Sequence, residues 1–176
     1  VKEADPGWVE VFIGLGSNLG DAEANLAAGL EGLAALEAYR PVAVSSLYKT
    51  APVGPVEQPP FLNAVARGRF RGDARELLRA LLKIEASRGR ERLEHWGPRT
   101  LDLDLLIFGE EIINQPDLQV PHPEMWRRAF VLVPLMELAP DLRLPRWGKT
   151  AAQLYEAMTP AERREQTVRK EAWHGA

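Results

Sequence analysis

Apolar residues recur along this chain in two distinct periods. Val9 to Leu15 is a β-branched, apolar run that ends in the turn-forming stretch Gly16-Ser17-Asn18-Leu19-Gly20-Asp21, predicting a strand and then a loop. From Asp21 to about Tyr39, Leu26, Leu30, Leu33 and Leu36 recur at helical spacing on an Ala-rich background, with Asp21 placed as the cap. Pro41 stops that helix, and Val42 to Tyr48 reads as a second strand. The Pro-dense stretches Thr50-Ala51-Pro52-Val53-Gly54-Pro55 and Gln58-Pro59-Pro60 then predict a long loop.

Phe61 to Phe70 is a third predicted strand. Asp73, with Glu76 three residues on, opens a second helix that buries Leu77, Leu78, Leu81, Leu82 and Ile84 and ends near Gly89. A charged loop, Arg88 to His95, leads to the strand Thr100 to Phe108, and Gly109-Glu110 turns the chain into Ile112 and Ile113. The order β-α-β-β-α-β predicts an α+β fold of the ferredoxin-like, split β-α-β kind, with an antiparallel four-stranded sheet and both helices on one face. Beyond Pro121 the prolines predict short helices and turns, then a helix over Thr150 to Met158; the charged last fifteen or so residues read as a fraying tail. The expected organisation is one domain over 1–176, with a core at about 9–140 and a C-terminal helix and tail at 150–176.

Composition narrows the function. With 176 residues, a net charge of -3 and a pI near 5.7, the surface does not suit nucleic acid phosphates or anionic lipid, so neither nucleic acid nor membrane is an expected partner. The chain has no cysteine, which removes disulfides, thiolate metal sites and Cys nucleophiles and suits a reducing, cytoplasmic setting. The start of the chain has no apolar stretch of the signal-peptide kind, and the most apolar run, Phe130 to Leu138, is too short to span a bilayer.

Candidate chemistry concentrates in the strand Thr100 to Phe108. Strict alternation puts Leu101, Leu103, Leu105 and Ile107 on one face and Asp102, Asp104, Leu106 and Phe108 on the other. The two carboxylates, with Cα atoms about 6.6 Å apart, would grip a divalent cation against a phosphate, or would simply solvate a wet strand face. Arg99, in the turn Trp96-Gly97-Pro98-Arg99, is placed for a phosphate oxygen, and Arg88, Arg90 and Arg92 stand just before it as an anion funnel or as plain surface charge. His122 lies between Pro121 and Pro123, which restrict the backbone and aim the ring. The glycines at 14, 16 and 20 miss the dinucleotide spacing by one place, and Gly148-Lys149-Thr150 lacks the first glycine of a P-loop.

Four separated motifs together resemble the 6-hydroxymethyl-7,8-dihydropterin pyrophosphokinase family of folate biosynthesis. They are Gly16 to Gly20; Ser45 to Gly54 with Phe61 to Val65; Trp96-Gly97-Pro98-Arg99-Thr100-Leu101-Asp102-Leu103-Asp104; and Val120-Pro121-His122-Pro123. The resemblance implies transfer of the diphosphate of ATP to the pterin hydroxymethyl group, with AMP as the other product and no protein nucleophile. It implies that Asp102 and Asp104 hold two Mg2+ ions. Glu85, Trp96, Arg99, Leu105, His122 and Arg128 would line the ATP site, and Arg90 and Arg92 would close over the triphosphate. Asp102, Asp104, His122, Arg90 and Arg92 form the implied catalytic set. The pterin would lie between Phe61 or Trp96 and Phe130, its edge bonded to Asn63 and to groups around Thr50, Pro52 and Val53.

Loops 50–60 and 88–96 correspond to the lids of that family. The expected partners are the two small substrates alone, and the expected state is a monomer. Three departures accompany the match: the spacing from Arg92 to Trp96 is one residue short, Leu82 replaces a polar residue and Asp117 replaces a basic one. Two other classes share parts of the pattern. A magnesium-dependent nucleotidyltransferase also uses two strand aspartates but releases pyrophosphate. An RNA-recognition module has the same element order, but Phe61 to Phe70 lacks its basic-aromatic pattern.

Overall fold

The N-terminal apolar run forms β1 (Trp8–Ser17), an inner strand of the main sheet. It is followed by α1 (Ala22–Ala34), β2 (Tyr39–Val44), β3 (Leu47–Thr50), β4 (Phe61–Arg71), α2 (Ala74–Ser87) and β5 (Asp102–Phe108). A small hairpin, β6 (Ile113–Gln115) and β7 (Leu118–Val120), precedes a 3-10 turn at Met125–Arg127, then α3 (Ala129–Leu138), α4 (Ala151–Ala157), α5 (Pro160–Glu165) and β8 (Val168–Glu171). The structure, a computed structural model, describes residues 6–51, 57–88 and 100–174.

The main sheet runs β5-β1-β4-β3-β8, with β2 also paired to β4, and all its pairings are antiparallel. Both predicted caps form: Asp21 Oδ1 accepts from Ala24 N at 3.1 Å, and Asp73 Oδ1 accepts from Glu76 N at 2.8 Å. α1 and α2 cover one sheet face, where Leu26, Leu77 and Leu81 pack on Ile13, Ala66 and Leu103. Burying a side chain of this kind contributes about 1.5–3 kcal/mol.

The opposite face has a core of its own, in which Phe12, Val65 and Leu106 meet Met125, Leu132 and Leu154. The two predicted helices thus share one face, as expected, and the C-terminal helices add a layer on the other face that the expected plan did not place. The run Phe130 to Leu138 accounts for the difference, because it forms a helix that is apolar nearly all round and is sandwiched rather than exposed.

Four further expectations change. The predicted strand Val42 to Tyr48 is two strands, parted at Ser45, whose Oγ accepts Val65 N at 2.9 Å while its own N–H donates to Val65 O at 2.9 Å. The first helix ends at Ala34 rather than Tyr39, since Tyr39 is taken into β2 opposite Phe70. The tail does not fray: β8 adds to the edge of β3, and Trp173 Nε1 donates to Ser45 O at 2.9 Å.

The fourth correction concerns β5. Phe12 pairs with Ile107 and Ile13 with Leu105, so Leu106 is an extra residue, a β-bulge that resets the alternation. Leu106 and Ile107 both enter the second core, and Phe108 joins the α1/α2 core, the reverse of the predicted sides for Ile107 and Phe108.

Candidate active site

Alternation along β1 sends Val11, Ile13 and Leu15 into the α1/α2 core and leaves Gly14 and Gly16 on the other face. Gly16 pairs with Asp102 on one side and Asn63 on the other; Gly14 pairs likewise with Asp104 and Val65. Glycine at both places removes the side chains that would stand between β5 and β4. A Cβ on Gly16 would sit 3.0 Å from Asn63 Oδ1, and one on Gly14 would sit 3.5 Å from Leu106.

The bare floor opens into a cavity of about 700 Å³. Asp102 and Asp104 line its β5 side, Phe61, Asn63 and Thr50 line its β4 and β3 side, and Arg128 and Phe130 close it from the start of α3. Asn63 is buried, and its Nδ2 donates to Thr50 Oγ1 at 2.9 Å, which fixes the amide and keeps Oδ1 as an acceptor on the Gly16 side. The Arg128 guanidinium lies 5.7 Å from the centre of the Phe130 ring. Seven of the predicted residues thus meet in one cavity: the two aspartates, Asn63, Thr50, Phe61, Arg128 and Phe130.

The bulge in β5 places His122. Leu106 O accepts the backbone N–H of His122 at 2.9 Å, and the Val120–Pro121 peptide just before it is cis. Glu124 N donates to His122 Nδ1 at 3.2 Å, so the neutral ring carries its proton on Nε2, as a donor. Burial pushes the imidazole below its ordinary value, and Arg128 adds to this against the pull of Asp104 and Glu124.

Glu85 and Leu105 lie on the α1/α2 side of the sheet rather than in the cavity. Leu105 packs in that core, and Glu85, 3% exposed, accepts the N–H of Leu103 on its Oε2 at 3.0 Å, fixing the start of β5. Asp117 pairs with Arg75 at 2.5 Å, and Leu82 is solvent-exposed rather than on the buried side of α2, since it lies one residue, about 100° round the helix, beyond the buried Leu81. Arg90, Arg92, Trp96, Arg99, Pro52 and Val53 lie outside the described residues. Arg88, at the root of that loop, donates to Asn25 Oδ1 at 2.7 Å, and Asn18 Nδ2 donates to Gln58 Oε1 at 2.8 Å, so α1 holds the root of one long loop and the Gly16 to Gly20 motif the root of the other.

Among the described residues no group of three His, Cys, Asp or Glu side chains would hold a metal ion. Asp102 and Asp104 form a two-carboxylate set, half-buried and exposed respectively. That set fits magnesium, which prefers oxygen donors and takes one or two carboxylates while water and substrate phosphates fill its other positions.

Residues 12–140 match the model of the 7,8-dihydro-6-hydroxymethylpterin-pyrophosphokinase (HPPK) family. The chain belongs to this family. It is 50% identical over 135 residues to the Pseudomonas aeruginosa 2-amino-4-hydroxy-6-hydroxymethyldihydropteridine pyrophosphokinase, covering 77% of this chain and 83% of that protein. The Haemophilus influenzae protein of the same name is 45% identical over 137 residues, covering 78% and 86%. Among solved structures the fold is similar to Plasmodium falciparum HPPK-DHPS wild type with pteroate, at a TM-score of 0.71 and 13% identity over 92% of this chain. That likeness is one of fold, and this chain spans 44% of that longer one.

The HPPK match ends at residue 140, yet Glu162, Glu165 and Gln166 also line the cavity. The sequence reading missed these three, along with the two floor glycines. The capping box Thr159 to Glu162, in which each side chain bonds the other's backbone N–H, was the available signal that the tail is ordered. Gly14 and Gly16, alternating in an otherwise bulky strand, were the signal for a close approach over the sheet.

Proposed function

We propose the following chemistry for this member of the pyrophosphokinase family. The diphosphate of ATP passes to the hydroxymethyl oxygen of 6-hydroxymethyl-7,8-dihydropterin, giving the pterin diphosphate and AMP on the way to folate. The carrying observation is that Asp102 and Asn63 share one row of the sheet across Gly16 and face one cavity. That arrangement supports a reading in which a metal-held phosphate tail and a polar anchor for a flat ring lie side by side.

Asp102 and Asp104 hold two magnesium ions, which when bound neutralise phosphate charge as the β-phosphorus is attacked. Asn63 Oδ1 accepts from the N–H edge of the pterin, and Thr50, with groups at Pro52 and Val53, completes that edge. Phe61 or Trp96 and Phe130 enclose the ring faces, where offset stacking suits an aromatic heterocycle. Arg128 and Arg99 pair with phosphate oxygens, and His122 donates from Nε2 to the nucleotide. Glu85 and Leu105 act on the nucleotide site from beneath by fixing the strand that carries the aspartates. Arg90 and Arg92 close over the triphosphate and hold transition-state charge, while the chain positions the attacking hydroxyl and excludes water.

The whole chain works as one domain on a ferredoxin-like βαββαβ plan extended by β8. It acts as a cytoplasmic monomer, a setting that a cysteine-free chain suits.

Product analysis with ATP, magnesium and the hydroxymethyl pterin tests this reading. AMP and pterin diphosphate in equal amounts support it. Pyrophosphate release would instead make the chain a nucleotidyltransferase acting at the α-phosphorus.

A further inference from the structure

Gln166 comes from the segment beyond the family match, between α5 and β8, and its side chain reaches back to the cavity wall. Its Oε1 accepts Ala129 N at 2.9 Å, and its Nε2 donates to Arg127 O at 2.9 Å. Arg127 O belongs to the peptide that enters Arg128, and Ala129 N belongs to the peptide that leaves it. One amide therefore grips both peptide units of Arg128 and restrains the two backbone dihedrals between them.

The same contact caps α3. Its N-cap residue, Arg128, makes no side-chain bond to the first turn; Val131 N and Leu132 N donate to Arg128 O, and Gln166 takes the N–H of Ala129. Gln166 supplies from 37 residues away what Asp21 and Asp73 supply locally to α1 and α2. Gln166 is itself held: its N–H donates to Glu162 O at 3.1 Å, and two residues later Val168 enters β8 opposite Thr50.

We propose that Gln166 is a positioning residue for the reaction. By fixing the Arg128 backbone it sets where the Arg128 guanidinium and the Phe130 ring stand in the cavity, and so governs capture of both substrates. The C-terminal strap is then part of the binding apparatus. This inference rests on the pyrophosphokinase reading for its kinetic consequence, and on geometry alone for the bracket.

Two substitutions separate the roles. Gln166→Leu keeps most of the volume and removes both bonds. Gln166→Glu keeps an acceptor for Ala129 N but removes the donor to Arg127 O. Steady-state AMP formation should show KM for ATP and pterin raised roughly tenfold in Gln166→Leu, the scale of about one net hydrogen bond, with kcat within about threefold of wild type. Gln166→Glu should fall between the two, and it carries the test alone if Gln166→Leu does not fold.

Amide hydrogen exchange without substrates gives a reading independent of activity. Protection at Ala129 should drop roughly tenfold in Gln166→Leu while β1 and β4 keep theirs. Wild-type KM values, or a lowered melting temperature with no change in the KM-against-kcat split, would overturn the positioning role. Unchanged protection at Ala129 would overturn the bracket itself. A wild-type chain that makes no AMP would sink the activity reading alone, with the exchange experiment still deciding the bracket.

Discussion

Asp102 and Asn63 stand in one row of the sheet, each paired to Gly16, with no side chain between them. Two strand spacings, about 9.6 Å, separate their backbones, a distance that a diphosphate with its metal ion and the edge of a pterin would bridge. The relationship puts the strand proposed to bind metal and the residue proposed to anchor the ring on one floor of the sheet.

The aspartates should be indispensable to turnover and dispensable to folding. Asp102→Asn or Asp104→Asn should each lower magnesium-dependent AMP formation at least about 100-fold, the scale of losing a charge-stabilising group at a phosphoryl centre. Thermal melting should stay within a few degrees of wild type, since each change removes one of two neighbouring like charges. Near-normal rates in both variants would refute the metal assignment.

Gly16→Ala tests the floor. The new methyl would lie 3.0 Å from Asn63 Oδ1, so the amide must shift by a few tenths of an ångström or surrender its place. The expected outcome is a several-fold rise in KM for the pterin, of the size of one weakened hydrogen bond, with KM for ATP altered less. Equal effects on both substrates would mean that Asn63 is not the pterin anchor.

Stability at low pH should depend on Glu137. Burial alone would raise its carboxyl, but hydrogen bonds from Tyr48 OH at 2.6 Å and Ser46 N at 2.8 Å, with Lys170 at 3.8 Å, hold it below its ordinary 4.5. Since the folded value lies below the unfolded one, the unfolded chain binds more protons between them. The contribution is therefore complete above pH 4.5 and lost as pH falls through the folded value. Melting curves from about pH 3 to 7 should show the wild type losing more stability on acidification than Glu137→Gln. Parallel curves for the two proteins would contradict this.

Trp173 pins the last strand by its bond to Ser45 O. Trp173→Phe removes that donor and keeps a ring, and should cost about 1 kcal/mol, lowering the melting temperature by roughly 2–4 °C. An unchanged midpoint would show that β8 is held without it.

Much of the fold was legible because its signals are local. The apolar run of β1, the capped and periodic helices α1 and α2, and the paired aspartates of β5 all follow from spacing alone. The sides of Ile107 and Phe108 were not, because strict alternation fails at Leu106, whose bulge answers a contact with His122 that no neighbouring residue announces. The break at Ser45 is hidden for a similar reason, since its hydroxyl replaces a backbone partner on a strand 20 residues away. The order of the tail was obscured by Arg163, Arg164 and Glu165, although Thr159 and Glu162 spell a helix start. In the cavity, Asn63 was legible through a motif and Phe130 through the wider family resemblance, whereas Gln166 lies beyond the family match and reaches the cavity wall only by tertiary contact.

The spatial claim admits a direct measurement. With Mn2+ replacing magnesium, a non-hydrolysable ATP analogue and the hydroxymethyl pterin bound together, paramagnetic broadening reports how far the pterin protons lie from the ion. The hydroxymethyl protons should be broadened most strongly, at a distance under about 10 Å as the two strand spacings require, and a protein carrying both Asp102→Asn and Asp104→Asn should abolish the effect. Sharp hydroxymethyl resonances in the wild-type complex, with both ligands shown to be bound, would contradict the shared floor on which this account stands.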